Sequence, residues 1–181
     1  MLVYHRAMSA LAFWKRVVAD DSNFLERVIG LLEEHGVRYC AIGGVAVNAY
    51  AEPVITQDLD LVVAVGDLPR TRVLMERDFR VKEFPYSLNV YDPGSRLQVQ
   101  IQLHDDIADF VDRAEVRDVL GLLMPVATPE DLLRAKCDAA LEPRRRASKR
   151  QKDLADISRL VEAFPELRSR VPAEILSRLF V

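Results

Sequence analysis

The chain has 181 residues, half of them apolar and 29% charged, with a net charge of −3. That length suits one domain, or one domain with a helical appendage, and the apolar share is enough for a sizeable core. The weak acidity excludes a polycation built to coat nucleic acid or membrane, and no apolar run approaches the roughly 18–20 residues of a membrane span.

Residues 8–14 form a short apolar segment behind His5 and Arg6. Lys15-Arg16 stands where a signal peptide would have small residues, so the segment predicts a helix and a cytoplasmic protein. Cys40 and Cys137 sit in apolar surroundings without metal-like spacing and predict small core residues. Residues 24–32 repeat apolar side chains at i, i+3 and i+4, with Asp21 or Ser22 as N-cap and Gly36 as the stop. A short buried strand over 38–42, a Gly-Gly break and a short helix over 45–50 follow. Residues 58–65 predict a central strand and 67–78 a helix with Pro69 in its first turn. Strands are expected over 79–84, 88–91 and 96–104, the last two joined by the turn Asp92-Pro93-Gly94-Ser95. Residues 105–120 predict one or two short helices, and 124–127 an extended piece. Thr128-Pro129-Glu130-Asp131 opens a helix with an N-cap, Pro at N1 and acids in the first turn. Two more helices are expected, over 148–163 and from 172 onward. The organisation is an α/β core over residues 1–125 and a helical subdomain over 126–181.

The chemistry lies in residues 39–65. A strand ends at Ile42, and Gly43 and Gly44 let the backbone turn tightly and approach a ligand closely. A helix starts at once, so its free N–H groups favour an anion. Thirteen residues separate Gly44 from Asp58-Leu59-Asp60. Residues i and i+2 of a strand share a face, so both carboxylates point one way while Leu59 and Leu61 serve the core. Paired carboxylates repel, and a hard cation such as Mg²⁺ or Mn²⁺ relieves them with phosphate oxygens completing its shell. A phosphate cradle beside such a pair equips a site for phosphoryl or nucleotidyl transfer. Taken singly, a Gly-Gly turn and a D-x-D on a solvated strand face are ordinary; their order and spacing carry the reading.

The ordered set resembles the nucleotidyltransferase superfamily that includes DNA polymerase β. It is closer to its minimal members, the AbiEii-like proteins of abortive-infection and toxin–antitoxin systems. The matching residues are Gly43-Gly44-Val45-Ala46-Val47, Thr56-Gln57-Asp58-Leu59-Asp60-Leu61 and, downstream, Lys136 and Lys152-Asp153-Leu154-Ala155-Asp156. The resemblance implies an α/β fold with a mixed sheet flanked by helices and a helical C-terminal part. It implies Asp58 and Asp60 as catalytic and metal-binding residues. Gly43, Gly44, Thr56, Lys136 and Lys152 are implied to hold the nucleotide. An NTP donor, an RNA (tRNA), protein or small-molecule acceptor and an antitoxin partner also follow from it.

Two positions depart from the family pattern. Active members carry a third carboxylate on a later strand, and Gln100 is the residue expected at that place. A glutamine cannot take a proton from a hydroxyl; His104, Asp105 or Asp106 would have to reach in instead. Val54 stands where the closer relatives often have arginine. A protein that kept the fold and binds a nucleotide or a partner without turnover is therefore the alternative. Residues 134–152 hold eight basic side chains against Asp138 and Glu142, either a solvated face or a polyanion contact. Lys136 lies among apolar positions and predicts an inward lysine with Asp156 or a triphosphate as counter-charge. Asp153 and Asp156 are expected to pair with Lys149, Lys152 or the arginine run. Tyr50, before D-x-D, predicts packing more than base stacking. His35 is expected to be solvated.

Overall fold

The structure is a computed structural model that describes residues 9–119 and 121–179. Met8, the first residue of the expected 8–14 helix, and the ends of two expected helices at Leu120 and at Phe180-Val181 lie outside the described residues.

Helix α1 spans Ala10–Val17 and α2 Phe24–Glu34. Strand β1, Tyr39–Ile42, leads straight into the short helix α3, Gly43–Val47, and β2 is Asp58–Val63. Helix α4 covers Leu68–Asp78, and strands β3, β4 and β5 cover Arg80–Phe84, Ser87–Tyr91 and Gln98–Gln102. Helix α5 is Phe110–Arg113, and β6 and β7 are Glu115–Val119 and Leu122–Val126. Helices α6, α7 and α8 span Pro129–Leu141, Ala147–Ala163 and Ala173–Leu179.

The strands form one mixed seven-stranded sheet in the order β3-β4-β5-β2-β1-β7-β6. At its centre β2 runs antiparallel to β1 and parallel to β5. In β2 the residues at 59, 61, 62 and 63 are buried while Asp58 and Asp60 stay partly exposed, the alternation of a strand with one face on the core. The short α3 packs on β1 and β2 and touches α6 and α7. Buried side chains form one continuous cluster that includes Leu61, Ile101, Leu132 and Ile157. That cluster crosses the expected boundary at 125, which falls inside β7. Both cysteines are free and buried in it. No helix among the described residues is long and apolar enough to cross a membrane.

The structure corrects three local expectations. Residues 115–119 form an edge strand, not a helix: Glu115, Arg117 and Asp118 leave no apolar face of either period for a sequence pattern to catch. The start of α2 is capped by neither Asp21 nor Ser22. Asn23 holds the left-handed N-cap conformation (φ 54°), and the buried Asp20 carboxylate accepts from the Phe24 and Leu25 amides at 2.9 and 3.4 Å. His35 is half-buried, with Nδ1 at 3.0 Å from the Leu31 carbonyl. Tyr50 packs edge-on against Phe164 with ring centroids 6.0 Å apart.

Candidate functional site

Strand register assembles the site. Asp60 lies between Ile42 of β1 and Gln100 of β5, and Asp58 opposite Gln98. The last residue of β1 therefore sits beside Asp60, and the next residue, Gly43, turns over it. Gly43 has φ +73°, and a Cβ placed there would lie 2.3 Å from Asp60 Oδ2. Only glycine permits both the conformation and the approach. The two glycines differ in their surroundings. Gly44 has no left-handed φ, and a Cβ there would meet Thr56 Oγ1 at an ordinary 3.7 Å. Trp14 fastens the loop from the other side, its indole Nε1 donating to the Thr56 carbonyl at 2.8 Å.

Gln100 and Gln102 both line the hollow in front of Asp58 and Asp60, which measures about 500 Å³. Gln102 hydrogen-bonds the pair, its Nε2 donating to Asp60 Oδ1 at 3.0 Å, while Gln100 is the register partner of Asp60. His104 and Asp106 line the same hollow, with His104 stacked on Tyr86 at 4.8 Å. A second hollow of about 180 Å³ opens beside Gly44, Thr56 and Lys152 and shares Asp58, Asp60 and Lys136 with the first. A larger hollow, about 680 Å³ and lined by Arg113, Asp131 and Arg170, contains none of the carboxylate pair or the glycines.

Lys136 projects inward from α6 with 14% of its side chain exposed, 2.6 Å from Asp156 and 3.2 Å from Asp153. Burial works to strip its proton, but the two carboxylates outweigh that and raise its pKa, so it remains an ammonium group. Asp153, almost wholly buried, also holds Arg145 at 2.7 Å. Asp156 holds Arg159 at 2.8 Å. The expected partners Lys149 and Lys152 pair with neither: Lys149 Nζ lies 3.7 Å from Asp58, and Lys152 is exposed at the second hollow. Arg159 lies outside the basic run, two helical turns beyond its end; its i, i+3 spacing from Asp156 is the signal the sequence carries. Much of the basic stretch is spent internally, since Arg150 donates to the Ala140 and Glu142 carbonyls and Arg134 pairs with Asp109.

Desolvation raises the Asp60 pKa, the neighbouring Asp58 charge adds to this, and Lys136 opposes it. A carboxylate of this kind is short of positive charge. The donor set fits a hard divalent cation: two carboxylates on one face, with water and phosphate oxygens for the remaining positions. Among the described residues no group of three His, Cys, Asp or Glu side chains could hold a metal by itself.

The raised pKa has a definite sign. A carboxyl held above its unfolded value contributes stability below that value and loses it as pH rises through the folded pKa. Asp60→Asn, which keeps an acceptor for Gln102, is expected to be more stable than the parent at neutral pH in metal-free buffer. Its advantage should grow as pH rises from the ordinary carboxylate range and level off above the folded pKa. Urea unfolding in EDTA between pH 4 and 8 measures this; a less stable variant at pH 7 would refute the assignment.

This fold is that of nucleotidyltransferases. The chain superposes on ANT(2'')-Ia in complex with adenylyl-2''-tobramycin with a TM-score of 0.61 at 14% identity, over 86% of this chain and 97% of that one. It superposes on an antigenic nucleotidyltransferase-like protein from Paracoccidioides brasiliensis with a TM-score of 0.54 at 20% identity, over 92% and 86%. For the lincosamide antibiotic adenylyltransferase LnuA, lincomycin-bound, the TM-score is 0.50 at 13% identity, over 77% and 97%. No protein-family model and no curated protein matches the chain.

Proposed function

We propose that the protein is a metal-dependent nucleotidyltransferase that moves a nucleoside monophosphate from an NTP to an acceptor hydroxyl. The observation that carries the reading is the approach of Gly43 to Asp60, which leaves no room for a side chain beside the carboxylate pair. Asp58 and Asp60 would hold Mg²⁺ or Mn²⁺, which when bound supplies charge neutralisation at the phosphates. The Gly44 side, with Thr56, Lys136 and Lys152, would take the triphosphate. The hollow of about 500 Å³ in front of the pair, along Gln100, Gln102 and His104, would take the acceptor. The acceptor oxygen attacks the α-phosphorus and pyrophosphate leaves; His104 and Asp106, which line that hollow, would accept the hydroxyl proton. RNA, protein and small molecules all offer such a hydroxyl, and the likeness to ANT(2'')-Ia, bound to adenylyl-2''-tobramycin, and to the lincosamide antibiotic adenylyltransferase LnuA supports a small molecule. A toxin's role with an antitoxin partner rests on the sequence resemblance to AbiEii-like proteins.

A second reading has its own observation. Gln100 occupies the register position opposite Asp60, so the neutral residue stands beside the pair. A module that binds nucleotide or protein without turnover would tolerate that.

One experiment separates the two. Pyrophosphate release is measured with Mg²⁺, each of the four NTPs, and bulk tRNA or a panel of polyhydroxylated small molecules. The parent is run beside Asp58→Asn/Asp60→Asn. Release by the parent that disappears in the double variant supports transfer. Metal-dependent NTP binding without release favours the nucleotide-binding module, and no binding at all removes transfer and leaves only a module that binds a protein.

A further inference from the structure

The 48–56 loop joins α3 to the D-x-D strand and, through Val54, Ile55 and Thr56, forms a wall of the smaller hollow. The loop has no regular secondary structure to hold it. Beyond the backbone bonds of residues 48–51 and the Trp14 bond to Thr56, two side chains tie it down. Asn48 closes it on itself: Nδ2 donates to the Val54 carbonyl at 2.8 Å and Oδ1 accepts from the Val54 amide at 3.0 Å. Arg159, reaching across from α7, then clamps that ring. Its Nε donates to the Glu52 carbonyl at 2.9 Å and its Nη2 to Asn48 Oδ1 at 2.6 Å. Its Nη1 donates to Asp156 Oδ1 at 2.8 Å, and only 13% of the side chain is exposed.

The other oxygen of Asp156 holds Lys136 at 2.6 Å. One carboxylate thus joins the phosphate-facing lysine to the arginine that grips the loop. Guanidinium suits the task, because its fixed fork serves three acceptors at once where an ammonium offers a point charge.

We propose that Arg159 is a positioning residue: it latches the 48–56 loop to α7 and so shapes the nucleotide wall beside Asp58. The latch stands on the geometry of the loop; its consequence for nucleotide rests on the transfer reading above.

Hydrogen exchange by mass spectrometry tests it, on the full chain and its Arg159→Met and Arg159→Lys variants. Methionine keeps the packing of the stem and removes every donor. Exchange across residues 48–56 should quicken about tenfold in Arg159→Met, with peptides of β2 and β5 unchanged and Arg159→Lys intermediate. The emission of Trp14, the single tryptophan of the chain, should shift with it, since its indole is bonded to Thr56. Unchanged exchange in the loop overturns the proposal, and so does equal acceleration throughout the chain, which marks a general loss of stability. A titration with Mg²⁺-ATP and the other three NTPs gives the functional arm. The Kd of an NTP that binds the parent should rise about tenfold in Arg159→Met and recover in part in Arg159→Lys. A loosened loop with unchanged Kd refutes the shaping of the wall. If the parent binds no NTP, the transfer reading falls, and the exchange result alone decides the latch.

Discussion

Gly43→Ala should lower stability by about 2–4 kcal/mol and remove metal-dependent nucleotide binding, while Gly44→Ala changes stability by no more than about 1 kcal/mol. The two glycines are neighbours in one motif, yet the geometry separates them. At Gly43 a methyl group meets Asp60 Oδ2 at 2.3 Å and Asp60 Cβ at 3.1 Å, on a backbone with φ +73°. Asp60 cannot retreat, because its strand is paired on both sides, with β1 and β5. At Gly44 the methyl group has ordinary contacts and a helical backbone that favours alanine. Gly44→Ala therefore folds as the parent does and tests the smaller hollow alone. Urea unfolding of both variants, with NTP titration beside it, reads the difference. Equal destabilisation by the two substitutions would contradict the assignment of the tight contact to Gly43.

The second large effect is expected at Asp153. Its carboxylate is only 2% exposed and holds Lys136 and Arg145 together. Removing it leaves Lys136 buried with Asp156 alone, and Asp153→Ala should cost about 3 kcal/mol in urea unfolding. Lys149→Met offers the contrast. That ammonium stands 3.7 Å from Asp58 with both groups well exposed, and its loss should change stability by less than about 1 kcal/mol. Asp153 is thus expected to act through the fold, and Lys149 through the charge it places beside the carboxylate pair. A cost below about 1 kcal/mol for Asp153→Ala would remove the buried triad from the account of stability.

How much of this was legible in the residues depends on which force set the position. Strand and helix order in residues 24–104 followed from apolar periodicity, because one face of each element meets a single core. The Asp58/Asp60 pair was legible for the same reason: period-two alternation places both on the open face. Strand β6 was not, since an edge strand with Glu115, Arg117 and Asp118 exposed is defined by its pairing with β7 and carries no pattern of its own. The choice between Gln100 and Gln102 depends on side-chain reach across a parallel register, which spacing does not encode. The inward turn of Lys136 was readable from its apolar neighbours, but its second carboxylate and the grip of Arg159 on the loop are tertiary. They required the relative placement of α6, α7 and the 48–56 loop.

The sheet order has a consequence for biosynthesis. β1 lies between β2 and β7, so one neighbour of the strand that delivers Gly43 comes from residues more than eighty positions later. Lys136, Asp153 and Arg159 arrive later still. A nascent chain on the ribosome can pair β1 with β2 early, but it must wait for α6 and α7 before the carboxylates face any cation from the protein. Until then an unpaired edge of β1 is open to other chains. Assembly should be slow for a chain of this size, governed by these long-range closures, and the phosphate-handling face should be the last part of the molecule to form.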